Sequence, residues 1–196
     1  MVHFIMKVIF STGNHHKVNE VSRICPSVTF LSLKDVGIEE EIPETGSTFR
    51  ANAQQKAQYV FDRTNTPALA EDSGLVVEAL NGAPGVFSAR YAGDEKNHQK
   101  NMMKLLSELS THTNRRAYFI STFCFYENAD KIYFFEGKCH GTIAKEMSGS
   151  GGFGYDPIFI PDGHKHTFGQ LSDVTKDAMS HRKKSLVKLL PFLEKH

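Results

Sequence analysis

What this chain lacks narrows its roles before any motif is considered. Its charge is almost balanced, 23 Lys and Arg against 22 Asp and Glu over 196 residues, for a formal net charge of +1. Domains that coat nucleic acid carry a strong basic excess that displaces counterions from phosphates, so no nucleic-acid partner is expected beyond what a local basic pocket could hold. Cysteine is scarce: Cys25, Cys124 and Cys139 contain no Cys-x-x-Cys pair and leave an odd thiol under any pairing. That usage fits a reducing compartment better than a secreted disulfide scaffold, and a cytoplasmic location is expected. No uninterrupted apolar run approaches the ~18 residues of a membrane-spanning helix, so no membrane partner is expected either. The apolar opening from Met1 to Phe10 is broken by His3 and Lys7 and leads into Ser-Thr-Gly-Asn, not a small-residue cleavage site, so no signal peptide is expected. Also missing are the Gly-x-Ser-x-Gly nucleophile turn and the Gly-x-x-x-x-Gly-Lys-Ser/Thr phosphate loop.

What is present reads as a globular protein, 40% hydrophobic and 23% charged. A chain of this length should bury roughly 70% of its unfolded surface, so it needs neither a disulfide framework nor a structural metal. Lys7 to Phe10 is a short apolar strand that ends in Ser11-Thr12-Gly13-Asn14, and Val18, Val21 and Ile24 then fall at helical spacing. Phe30 to Val36 is expected to hold a second strand. Ser47 or Thr48 can cap a helix whose Phe49, Ala53, Ala57 and Val60 share one face. Pro67 to Ala70 reads as a strand that stops at Glu71-Asp72-Ser73-Gly74, followed by Leu75 to Leu80. Glu95 to Ser110 reads as a helix with Met102, Met103, Leu105, Leu106 and Leu109 inward. Ala117 to Tyr126, Ile132 to Phe135 and Cys139 to Ile143 read as an antiparallel meander, and Ala178 to Leu193 as a closing basic helix. Helices and strands alternate early and hairpins cluster late, which predicts an α/β fold with a mixed sheet in one domain spanning residues 1–196.

Several stretches could carry chemistry. The strand-to-helix turn from Thr12 to Lys17 offers backbone N–H groups, a positive helix end and the Lys17 charge, and reads either as an anion site or as a plain connection. Glu39 to Glu41 read as a solvated acidic loop, whereas Glu44 and Asp72 could share a hard cation such as Mg²⁺ that bridges to phosphate. Successive strand residues face opposite ways, so Glu71 and Asp72 should not both address one ligand. Ser148 to Pro157 interleaves glycines with Phe153 and Tyr155, which suits either base stacking or a tight turn with a ring in the core. Lys183 and Lys184 read as a solvated face, while His181 and Arg182 are of more interest. His164-Lys165-His166 reads as an exposed loop and not a metal clip, and no Ser or Cys stands in a nucleophile setting.

In chain order, Ser11-Thr12-Gly13-Asn14 with Lys17, Glu44-Thr45-Gly46 followed by Phe49 and Asn52-Ala53, and Asp72-Ser73-Gly74-Leu75 resemble the inosine triphosphate pyrophosphatase (Ham1-like) family. So do Gly82-Ala83-Pro84-Gly85 with Ser88 to Gly93, Gly152 to Phe159, and Ser180-His181-Arg182. The resemblance implies an α/β fold with a long mixed central sheet flanked by helices in two lobes around a cleft, and a homodimer. It implies hydrolysis of noncanonical purine nucleoside triphosphates (ITP, dITP, XTP) to the monophosphate and pyrophosphate. Thr12, Gly13, Asn14, His15, His16 and Lys17 would cradle the phosphates. Glu44 and Asp72 would hold Mg²⁺, with one or more divalent ions per subunit, and Asp72 would be the general base. Ser73 would lie close to the substrate, and Phe153, Gly154, Tyr155, Asp156, Lys176, His181 and Arg182 would surround base and phosphates. The family commonly has Asp where Glu71 stands and an acid where Gln170 stands, which places the catalytic role on Asp72. The alternatives are a Maf-type nucleotide pyrophosphatase and a nucleotide-binding module without turnover.

Overall fold

The computed structural model describes residues 6–195, so the opening segment up to Ile5, to which the expected absence of a signal peptide refers, lies outside the described residues. The strands are β1 (Met6–Phe10), β2 (Val28–Leu31), β3 (Ala68–Val77), β4 (Arg116–Asn128), β5 (Lys131–Ile143) and β6 (Phe159–Pro161). The helices are α1 (His15–Ile24), α2 (Phe49–Thr64), α3 (His98–Glu108), α4 (Asp173–Met179) and α5 (His181–Leu193). The strands form one six-stranded sheet in the order β2-β1-β3-β4-β5-β6. It is mixed, as expected: β1 runs parallel to β2 and β3, and β6 runs antiparallel to β5.

The backbone gathers into two compact units. The first takes the residues up to Asp72, Ser121–Glu136 and the residues from Ser185 on; the second takes Ser73–Ile120 and Gly137–Lys184.

In the first unit, strand alternation sorts side chains onto two faces. Val8, Phe10, Leu69, Phe123 and Phe125 pack with Val21 of α1 and with Leu186, Leu189 and Leu193 of α5. Ile9 and Ala68 pack with Val60 of α2, and Ala70 and Cys124 pack with Ala53 and Ala57 of the same helix. Alanines on both sides let α2 lie close to the sheet. By the same alternation Glu71 follows Leu69 to the first face, and Asp72 follows Ala70 toward α2.

The second unit has its own core. Leu75, Val77, Phe119, Ile143 and Phe159 of the strands pack with Met102 and Leu105 of α3, with Leu109 just after it, and with Tyr155, Ile158 and Phe168. At about 1.5–3 kcal/mol for each large apolar side chain removed from water, such clusters are the main favourable term in both units. Arg115 ties this unit's loops by donating to the Leu109, Ile143 and Ala144 carbonyls.

Five expectations are corrected. The second strand is Val28–Leu31, not Phe30 to Val36, because Asp35 accepts from the Ser32 N–H and hydroxyl and folds that stretch into a turn and a short 3-10 helix. β3 does not stop at Glu71 but runs unbroken through Val77. β5 likewise continues through Gly137, joining two expected strands into one. The closing helix is two helices, broken at Ser180, whose backbone is extended (φ −61°, ψ 156°). Met103, expected inward, is 55% exposed, since the buried stripe of α3 runs through Asn101, Met102 and Leu105.

Candidate active site

In the first unit the site begins at the end of β1. The Ser11 N–H still donates to the Leu69 carbonyl, after which the chain turns through Gly13 into α1. Asn14 caps that helix by accepting from the His16 and Lys17 N–H groups, and Thr12 Oγ1 accepts from the Asn14 N–H. Two of the amides counted on for an anion are therefore already engaged by Asn14. His15 and His16 are exposed. Lys17 reaches inward, with Nζ 3.4 Å from Glu71 Oε2 and 3.5 Å from the Glu71 carbonyl oxygen.

Glu71 is fully buried mid-strand, a placement that is costly unless the charge is paired. It accepts from the Ser121 hydroxyl at 2.6 Å, Ser121 in turn lies 3.0 Å from the Ser185 hydroxyl, and Lys17 supplies the counter-charge. These partners explain why β3 passes through two acids without breaking. Asp72 faces α2, where Asn52 Nδ2 donates to its Oδ2 at 3.1 Å and Lys56 Nζ lies 3.6 Å from its Oδ1. Lys56 Nζ also donates to Glu44 Oε1. Glu44 is held there by local structure. The Gly46 N–H donates to Asn52 Oδ1 at 2.7 Å, and the Thr45 N–H donates to Gln55 Oε1 at 3.0 Å. A Cβ at Gly46 would sit 2.7 Å from Asn52 Oδ1 and 2.8 Å from Ala51 Cβ, so this approach of loop to helix requires glycine.

The electrostatics follow from that geometry. Burial pushes the Asp72 carboxyl above the usual carboxylate range, with Lys56 and Lys17 pulling the other way. Burial works against the Lys56 ammonium, but Asp72 and Glu44 outweigh it and hold its pKa above the ordinary lysine value. Glu44 and Asp72 thus converge on the Lys56 ammonium.

The second unit carries another cluster. Gly152, at φ 71°, brings the chain against Asp156, where any Cβ would collide with the carboxylate. Asp156 Oδ2 accepts from the Phe153 N–H and from Lys176 Nζ, each at 2.7 Å, and the Asp156–Lys176 pair is buried. Lys176 Nζ lies 4.9 Å from the Phe153 ring centre and Arg182 Cζ lies 5.9 Å from it. Arg182 is fully buried and its Nη2 donates to Ser73 Oγ at 3.3 Å. His181 stacks on Phe119, with ring centres 4.9 Å apart. Tyr155 packs in the core with its hydroxyl on the Ser88 carbonyl at 2.8 Å, which is the core placement weighed for it in sequence, while Phe153 stays partly exposed. Gly154 adopts φ 65° between them, a conformation that favours glycine.

Sequence reasoning passed over Lys56 as a functional group, gave Asn52 no role and set Glu71 aside. A signal existed for the first two: Asn52 and Lys56 interrupt the Ala53, Ala57, Val60 face that α2 buries, and a buried lysine needs partners. His164, Lys165 and His166 form an exposed loop, as read. Burial pushes the Cys124 and Cys139 thiols up to about 12 and about 11, which leaves them inert as nucleophiles.

Among the described residues no group of three or more His, Cys, Asp or Glu side chains is placed to hold a metal. The pair Glu44 and Asp72 nonetheless suits a hard cation: both ligands are oxygens, both already face one ammonium, and Mg²⁺ commonly takes one or two carboxylates and completes its shell with water and phosphate.

A profile of the Ham1 family matches residues 8–192. The chain belongs to the Ham1 family. The family's curated members include a Porphyromonas gingivalis protein named dITP/XTP pyrophosphatase, 47% identical over 189 residues covering 95% of this chain and 97% of the relative. A Flavobacterium psychrophilum protein of the same name is 45% identical and covers 96% and 100%. Among solved structures, the Ham1 protein of Coxiella burnetii superposes with a TM-score of 0.90 at 35% identity, covering 98% of this chain and 100% of that one. The Staphylococcus aureus Ham1 protein gives 0.88 at 37% identity, covering 96% and 98%. The mixed sheet with flanking helices is thus the family fold.

Proposed function

We propose that this chain hydrolyses noncanonical purine nucleoside triphosphates, ITP, dITP and XTP, to the nucleoside monophosphate and pyrophosphate. The observation that carries the reading is the set of facing charges Glu44, Asp72 and Lys56, with the Lys17–Glu71 pair beside it, in a chain 47% identical to a protein named dITP/XTP pyrophosphatase. The Maf-type alternative is not favoured, because the Ham1 match spans almost the whole chain.

Water attacks the α-phosphorus, the bond from that phosphorus to the α–β bridging oxygen breaks, and pyrophosphate leaves. Asp72 takes the proton from the water. Asn52, bonded to Oδ2, fixes the carboxylate rotamer, and burial raises the basicity of the group. Lys17 and Lys56 offset charge on the phosphates, the main demand that phosphoryl chemistry makes on a protein. Glu44 and Asp72 would hold Mg²⁺, which when bound neutralises phosphate oxygens and polarises the phosphorus they surround.

To the second cluster we assign the base. Phe153 stacks on it, stiffened by Asp156 and Lys176. Inosine and xanthosine carry an acceptor at position 6 where adenosine carries an amino donor. A donor such as the Arg182 guanidinium therefore rewards the first two and meets another donor in the third. Residues 1–196 would then be one catalytic domain. A Mg²⁺-dependent cytoplasmic homodimer is the further expectation from the family resemblance; no described helix is long and apolar enough to cross a membrane.

The test is product identity. ITP with Mg²⁺ should yield IMP and pyrophosphate in equal amounts. Orthophosphate with IDP would replace the reading by a γ-phosphate hydrolase, and absence of product would favour a binding module.

A further inference from the structure

Two carboxylates that face one ammonium are already neutralised in part. Lys56 Nζ donates to Glu44 Oε1 and lies 3.6 Å from Asp72 Oδ1. The side chain is buried, and its backbone is fixed by a helix whose Ala53 and Ala57 pack into the core, so the ammonium is held against these partners. Glu44 and Asp72 with the Lys56 ammonium leave a single negative charge, and the neighbouring Lys17–Glu71 pair adds none. A divalent ion added alone would reverse that sign beside a buried ammonium, whereas an ion arriving with a polyphosphate brings its own anion and gives Lys56 a new partner.

We propose that Lys56 is a built-in counter-cation of the Glu44–Asp72 pair: it excludes free divalent ions and admits them only together with the polyphosphate of the nucleotide. The inference rests on the reading of Glu44 and Asp72 as metal ligands. It makes the metal–nucleotide complex, and not the free ion, the species that binds, and it keeps the acid pair folded and paired between turnovers.

Direct binding of Mn²⁺ to the full chain, followed by loss of the free-ion electron paramagnetic resonance signal, tests this without turnover. K56M should bind bare Mn²⁺ at least about tenfold more tightly than wild type, the least that removing a unit charge at this distance should do. K56R, which keeps the charge, should bind as weakly as wild type. Equal or weaker binding by K56M overturns the proposal. Should K56M not fold, wild type alone decides: bare Mn²⁺ should bind more weakly than about 1 mM, the weak end of carboxylate sites. Tighter binding that E44Q abolishes overturns the counter-cation role while keeping the metal pair. Tighter binding that E44Q leaves unchanged overturns both, because the ion then sits elsewhere.

Discussion

A base that takes a proton from water has to be held in one orientation and kept from solvent, and Asp72 meets both conditions through Asn52 and its burial. D72N preserves shape and removes the basic oxygen. It should lower kcat on ITP by about 10²- to 10⁴-fold, the usual worth of a positioned base, with an unchanged circular dichroism spectrum; near-normal kcat would remove Asp72 from the proton transfer. Arg182 is tested by selectivity. Lysine keeps the charge but loses the planar fork, so R182K should reduce the ITP-over-ATP ratio of kcat/KM by about tenfold; an unchanged ratio with a raised KM would move Arg182 to the phosphates. Buried thiols with pKa values of about 12 and about 11 carry little thiolate near neutrality. Native protein at pH 8 should therefore leave Cys124 and Cys139 unalkylated by iodoacetamide in a mass spectrum, and denaturant should expose both. Asp72, Glu44 and Lys17 were legible in sequence because each sits in a short motif. Lys56 and Asn52 were not given roles, because their partners are set by the packing of α2 on β3, which no local spacing reveals.

At the scale of elements, α2 delivers two polar side chains to the sheet because its buried face is built from alanine. A57L should wedge the helix outward, cost about 1–3 kcal/mol in urea denaturation and lower kcat by drawing Lys56 and Asn52 from Asp72. The loop before α2 is equally constrained: G46A, which sets a methyl against Asn52 Oδ1 and Ala51 Cβ of α2, should reduce kcat on ITP by displacing Asn52 from Asp72. Element type was legible nearly throughout, and boundaries failed where partners intervened. β3 outruns its reading because Ser121, Lys17, Asn52 and Lys56 satisfy two acids that look like strand terminators. The closing helix breaks at Ser180 although its apolar spacing continues, a break that rests on one extended residue.

For the whole molecule, the mixed character of the sheet and the family were legible, since alternating and hairpin segments dictate the first and ordered motifs the second. The division of β3, β4 and β5 between two compact units was not, because each strand runs unbroken across the change. A near-neutral chain has no general attraction for polyanions, so affinity for nucleotides has to come from the local cations and, on the proposed reading, a divalent ion. Removal of divalent ions by a chelator should abolish turnover of ITP, and Mg²⁺ should restore it. The central claim, that these clusters act on noncanonical purine triphosphates, is tested most directly by kcat/KM for ITP, XTP and ATP in one preparation with Mg²⁺, read as pyrophosphate release. ITP and XTP should exceed ATP by about a hundredfold or more; comparable values for ITP, XTP and ATP would contradict it.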